Sequence, residues 1–99
     1  MTLPVAAFAR FVVQSGEGAR FEAVFADLAR AMRAGEPGLV HVTLARSRSE
    51  ADVYHVLEVY ADDAALAAHG AAAHCAEAVP RLMALLAGDP SVAMSDVLV

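Results

Sequence analysis

The run EPGLVHVTLARSRSEADVYHVLEVYADD, residues 36–63, decides the fold. A Pro-Gly turn opens it, apolar residues recur through 38–46 and again through 53–61, and the polar SRSEAD between them turns the chain back on itself. The pattern predicts two neighbouring antiparallel strands. Both are apolar at both parities: Val40, Val42, Leu44, Leu57 and Val59 form one set, and Leu39, Tyr54, Val56 and Tyr60 the other. Strands of this kind belong to a sheet that is covered on both faces.

Upstream, PVAAFARFVVQ at 4–14 reads as another two-faced strand, and SGEG at 15–18 as a turn leading into a helix. From 18 to 34, Phe21, Val24, Phe25, Leu28 and Met32 recur at spacings of three and four, the stripe of an amphipathic helix ended by Gly35. Downstream, Asp62 and Asp63 supply an N-cap for a helical segment interrupted at Gly70. A second segment follows over 72–87, with Pro80 expected to kink or restart it. SVAMSDVLV closes the chain as a fourth strand. The order β-α-β-β-α-β predicts an α+β, ferredoxin-like domain over residues 1–99, with one antiparallel sheet and two helices on one face. Because two helices cover a single face, the other is expected to meet a second copy of the sheet in a two-fold homodimer.

Composition narrows the field. Of 99 residues, 59% are hydrophobic and 19% charged, and 24 are alanine, so the bulky apolar side chains are mainly Val, Leu, Phe and Met. The chain has no apolar run near the roughly 20 residues of a membrane span and no signal-peptide pattern, which predicts a cytoplasmic protein. A net charge of −5 without a basic run excludes nucleic acid and anionic membranes as expected partners. The single cysteine, Cys75, excludes an internal disulfide. Absence of Lys, Asn and Ile, all with AT-leaning codons, points to a GC-rich, bacterial genome.

Polar residues within the apolar strands are the candidate chemistry. If partners across the 47–52 turn have numbers that total 99, His41 lies opposite Glu58, on a face shared with Leu39, Thr43, Ala45, Tyr54, Val56 and Tyr60. A carboxylate beside an imidazole is a general-base arrangement, and equally an ordinary cross-strand pair satisfying itself. The argument depends on register. His69 and His74, five apart, would stand about 140° apart on a continuous helix, which disfavours a metal site and suits a pocket-lining or capping role. Cys75 reads as a buried, inert thiol. Tyr54 and Tyr60 read as half-core residues whose hydroxyls are available to a ligand.

These residues carry a family resemblance. Gly16, the Glu36-Pro37-Gly38 turn, Glu58, and Asp63, Ala65, Leu66, His69 and His74 resemble the pattern of the antibiotic biosynthesis monooxygenase domain family, over residues 4–99. The resemblance implies a dimeric α/β barrel: ferredoxin-like protomers packed sheet to sheet, each with a small-molecule pocket between sheet and helices. Characterised relatives include cofactor-independent monooxygenases that turn phenols or hydroquinones into quinones, and heme-degrading enzymes. It implies a small aromatic ligand and no cofactor; together with the residue reading above it leaves His41, Glu58 and His74 as candidate catalytic groups and Tyr60, His69 and Tyr54 as candidate substrate-binding groups. Where active members commonly carry an Asn in the first strand and a Trp at the end of the third, this chain has Ala9 and Tyr60. Near the heme-ligating histidine of the heme-degrading branch it has Val79, so heme chemistry is disfavoured. The same framework would serve a non-catalytic small-molecule-binding protein, or an isomerase or cyclase that transfers protons without oxygen.

Overall fold

A computed structural model of the chain describes residues 2–99. In order they form β1 (Val5–Val12), α1 (Gly18–Gly35), β2 (Leu39–Arg46), β3 (Val53–Tyr60), α2 (Asp63–Ala71), α3 (Ala73–Met83) and β4 (Ser91–Asp96). The strands make one antiparallel sheet in the order β2-β3-β1-β4, and the architecture is the ferredoxin-like α+β plan that the sequence predicts. Among the described residues no helix is long and apolar enough to cross a membrane.

The α1 stripe behaves as its spacing dictates: Phe21, Val24, Phe25, Leu28, Ala29 and Met32 are the residues it buries. They pack with Val42, Tyr54 and Val56 of the sheet and with Cys75, Ala78 and Leu82 of α3. Asp62 caps α2, its carboxylate accepting the Ala65 N–H at 2.8 Å.

Three boundaries differ from the sequence expectation. The break between the later helices falls at Ala72, in extended conformation (φ −72°, ψ 142°), and Gly70 stays within α2. α3 runs through Pro80, and the Ala84 N–H still donates to the Pro80 carbonyl. The missing Pro80 N–H deprives only the carbonyl one turn back, on a stretch where Ala76 and Glu77 are exposed to solvent. The strand β4 stops at Asp96 because its partner β1 begins opposite it, at Val5.

Register is the important correction. Leu39 pairs with Tyr60, numbers totalling 99 as expected, but a bulge between Leu39 and His41 follows. From there partners total 100: His41 faces Val59 and Val42 faces Glu58. His41 and Glu58 therefore lie on opposite faces of the sheet, and the expected pair does not form. Helix-side rows now read Val42, Glu58, Ala7, Met94, and Leu44, Val56, Ala9, Val92. The open side reads His41, Val59, Ala6, Ser95, and Thr43, Leu57, Phe8, Ala93.

The Glu36-Pro37-Gly38 turn holds α2 against the sheet. The Gly38 carbonyl accepts the Ala61 N–H at 2.9 Å, and a Cβ on Gly38 would stand 2.4 Å from the Ala65 Cβ. Gly38→Ala should cost about 1–3 kcal/mol through overpacking, read as a lower urea midpoint. Adding Ala65→Gly should restore part of it, and an unchanged midpoint in the single variant would contradict this packing.

Candidate functional site

Six polar or sulfur-bearing side chains gather where the end of α1, the end of β3 and the α2–α3 junction meet. Glu36 is the C-cap of α1, its backbone N–H donating to Met32, and its carboxylate is only 7% exposed. His69, in the last turn of α2, donates from Nδ1 to both Glu36 oxygens at 3.0 Å. His74, in the first turn of α3, donates from Nε2 to Glu36 Oε2. The Cys75 Sγ lies 3.5 Å from each ring nitrogen of His69. From the sheet, Glu58 brings Oε1 to 3.7 Å from His69 Nε2, and the fully buried Tyr60 hydroxyl donates to the same oxygen at 2.5 Å. The Tyr60 and His69 rings pack with centroids 5.2 Å apart.

The helix break makes this convergence possible. An unbroken helix would splay positions 69 and 74 to different faces, but the extended Ala72 redirects the chain so that both reach Glu36. The spacing of a continuous helix misses this meeting, whereas the interruption expected at Gly70, two residues from the actual break, leaves room for it. Spacing also misses Glu36 as a partner, and Cys75 sits within the cluster; the only sequence signal for Glu36 is its place in the Glu-Pro-Gly turn.

Four of the candidate residues thus come together: Glu58, Tyr60, His69 and His74. Two do not. His41 stands exposed on the open face, its Nε2 2.5 Å from Thr43 Oγ1. Tyr54 is buried on the helix side but six residues along β3 from Tyr60, about 20 Å at strand rise. Its hydroxyl donates to Glu22 Oε2 at 2.5 Å, beside the start of α1. An imidazole does accompany Glu58, but it is His69 of α2 in place of His41.

The cluster opens outward through a cleft of about 350 Å³ lined by His69, Gly70, Cys75, Ala76, Val79 and Pro80. Beside Glu58 on the same row lie the small Ala7 and then the half-exposed Met94, so the carboxylate borders an apolar strip of sheet.

With this geometry in hand, comparison with known proteins is informative. The antibiotic biosynthesis monooxygenase family profile matches residues 4–81. The chain belongs to the antibiotic biosynthesis monooxygenase family. A candidate member from Caulobacter crescentus CB15 is 36% identical, over 98% of this chain and 92% of that one, with a TM-score of 0.95. A variant of SnoaB, a cofactor-independent oxygenase from Streptomyces nogalater, is 31% identical over 95% of this chain and 92% of that one, with a TM-score of 0.83. A conserved protein from Methanosarcina mazei, 18% identical over 96% and 93% with a TM-score of 0.89, shares the fold. None of the curated proteins compared with the sequence matches it.

Burial and the neighbouring carboxylates Glu58 and Glu36 hold the Tyr60 phenol far above its ordinary value of 10.0. Burial and the Glu22 hydrogen bond raise Tyr54 as well. Burial first, then Glu36 and Glu58, push the Cys75 thiol up to about 11, which leaves it protonated and unreactive at neutral pH. Because both phenols keep in the folded state a proton that the unfolded chain gives up near pH 10, their stabilising contribution is complete below pH 10 and is lost above it. An alkaline titration followed by phenolate absorbance should show little ionisation at pH 10, and a rise that coincides with loss of circular dichroism. Half-ionised tyrosine at pH 10 in a folded protein would contradict the site as described.

Proposed function

We propose that this protein is a cofactor-independent monooxygenase that oxidises a small phenol- or hydroquinone-type aromatic with molecular oxygen. Family membership and the likeness to monooxygenases support the reaction class. The observation that carries the substrate reading is Glu58: a carboxylate on the helix side of the sheet, steadied by a buried tyrosine, flanked by His69 and bordered by apolar sheet.

Direct reaction of an aromatic with oxygen requires an electron-rich ring, and removing the phenolic proton supplies one. Glu58, 15% exposed, is the proton acceptor. Tyr60 remains protonated at neutral pH, so its hydroxyl acts as a donor that fixes the orientation of the carboxylate. Glu36, held by His74, sets the His69 ring against Glu58. The phenolate passes an electron to oxygen, and the radical pair joins by a carbon–oxygen bond at the para carbon. On a ring whose para carbon bears hydrogen, that hydrogen passes as a proton to the outer oxygen while the O–O bond breaks and its C–H electron pair forms the carbonyl. One oxygen stays as the quinone carbonyl, and the other leaves as hydroxide that takes the proton held by Glu58. The sum is phenol plus oxygen giving quinone plus water.

Mixing the protein anaerobically with hydroquinones and phenols, then adding oxygen, tests the reading through quinone absorbance. Glu58→Gln should slow turnover about 100-fold or more, within the usual range for a general base. His41→Ala should leave it unchanged. Equal rates for wild type and Glu58→Gln would remove the proposal. Ligand-induced thermal stabilisation without oxygen consumption would mark a binding protein, a reading that Ala9 and Tyr60 favour; conversion under nitrogen would mark an isomerase or cyclase.

The open face of the sheet supports a homodimer. Phe8 is 49% exposed there, with Leu57 and Val59 beside it on the neighbouring β3 and Ala6 two residues away on its own strand. A second copy placed sheet to sheet buries this apolar centre. Light scattering at micromolar concentration should give twice the chain mass of 10.3 kDa, and Phe8→Glu should give the monomer.

A further inference from the structure

We propose that Glu36, His69, His74 and Cys75 form a binding site for a borderline-soft divalent cation of the zinc class. This goes beyond the oxygenase reading and does not depend on it.

The donor set comes first. One oxygen, one nitrogen from each imidazole and the sulfur all lie within 4.8 Å of one another. The Cys75 thiol, protonated in the ion-free protein, gives up its proton when the ion binds. Two nitrogens, one oxygen and one sulfur are ligands that zinc accepts in tetrahedral array, whereas magnesium and calcium take oxygen. Bond lengths of 2.0–2.3 Å imply ligand separations of roughly 3.3–3.8 Å around a tetrahedral ion. The contacts of Glu36 with His69 at 3.0 Å and of Cys75 with His69 at 3.5 Å approach that span. His74 already touches the same Glu36 carboxylate, so entry of an ion between them requires the Glu36 and His74 side chains to move apart.

Charge supplies a second argument. Glu36 and Glu58 are 7% and 15% exposed, and no arginine reaches them among the described residues; the arginine ion pairs engage Glu50, Glu17, Asp27 and Glu22. The chain has no lysine. The two mostly buried carboxylates are therefore met by imidazoles and the Tyr60 hydroxyl but by no permanent positive charge, and a dication compensates them.

The surroundings of His69 add a third. Its Nδ1 faces Glu36, while Nε2 faces Glu58, itself held by Tyr60. A histidine that binds a metal through one nitrogen and meets a carboxylate at the other is the usual supporting arrangement. An approach exists too, since His69 and the buried Cys75 border the cleft beside Gly70 and Val79.

The test uses the full chain after chelator treatment, titrated with Zn2+ by calorimetry and with Co2+ by absorption. The expected result is saturable binding at one ion per chain, visible bands of tetrahedral Co2+, and a near-ultraviolet sulfur-to-cobalt band. Cys75→Ser should abolish the near-ultraviolet band, and His69→Ala should weaken Zn2+ about 100-fold or more. Glu58→Gln should weaken it about 10–100-fold through the outer shell. His55→Ala, on the exposed open face, should change nothing. The wild-type cobalt spectrum needs no variant to fold: its lack of a sulfur band, or lack of saturable binding, overturns the site. Binding that survives both His69→Ala and Cys75→Ser places the ion elsewhere and overturns it equally.

Discussion

Two faces of one sheet compete for every strand residue, and in β2 the outcome is reset by a single extra residue. Before the bulge Leu39 sits level with Tyr60; after it Val42 sits level with Glu58. That offset sends Val42 and Leu44 toward the helices and leaves His41 and Thr43 on the open side. Without it the core would receive a histidine and a threonine where it now holds a valine and a leucine, with two polar groups to satisfy under α1. The inward position of Glu58 is fixed by β1 as well, since Ala7 stands opposite it and leaves the carboxylate room.

Everything in the polar cluster follows from how an acidic pair is accommodated. Glu36 is fixed by its place at the C-cap of α1, Glu58 by sheet register, and the two histidines by the break at Ala72. These placements come from three separate parts of the chain, and each is determined by backbone geometry more than by local preference. The result is a compact set of groups able to hold or pass protons, backed by a tyrosine and a thiol that both stay protonated at neutral pH.

Much of this was legible in the sequence. The stripe from Phe21 to Met32, the Pro-Gly turn, the SRSEAD connection and the Asp62 cap each carry a local signal, and local signals add up to the β-α-β-β-α-β order. Glu58, Tyr60, His69 and His74 stood out as polar groups in apolar surroundings. The partnership between them did not. A bulge has no mark in VHVTLAR that differs from regular alternation, so His41 seemed the partner of Glu58. Likewise Gly70 in the run GAAAH signals a break but not its place: the extended residue is Ala72, two positions on among helix-forming alanines. Pro80 does not restart the helix: α3 runs on through it, on a stretch that faces solvent.

The helix α2 has a consequence of its own. It buries no residue, so the hydrophobic effect contributes little to keeping it in place. What ties it down is the Asp62 cap, the close seat of Ala65 on Gly38, and the link from His69 to Glu36. An element held by so few contacts occupies the low end of the local-unfolding scale, opening far more often than the sheet beneath it. Its docking equilibrium and the occupancy of the cleft are then thermodynamically linked: whatever engages His69 favours the docked helix, and whatever frees the helix disassembles the cluster.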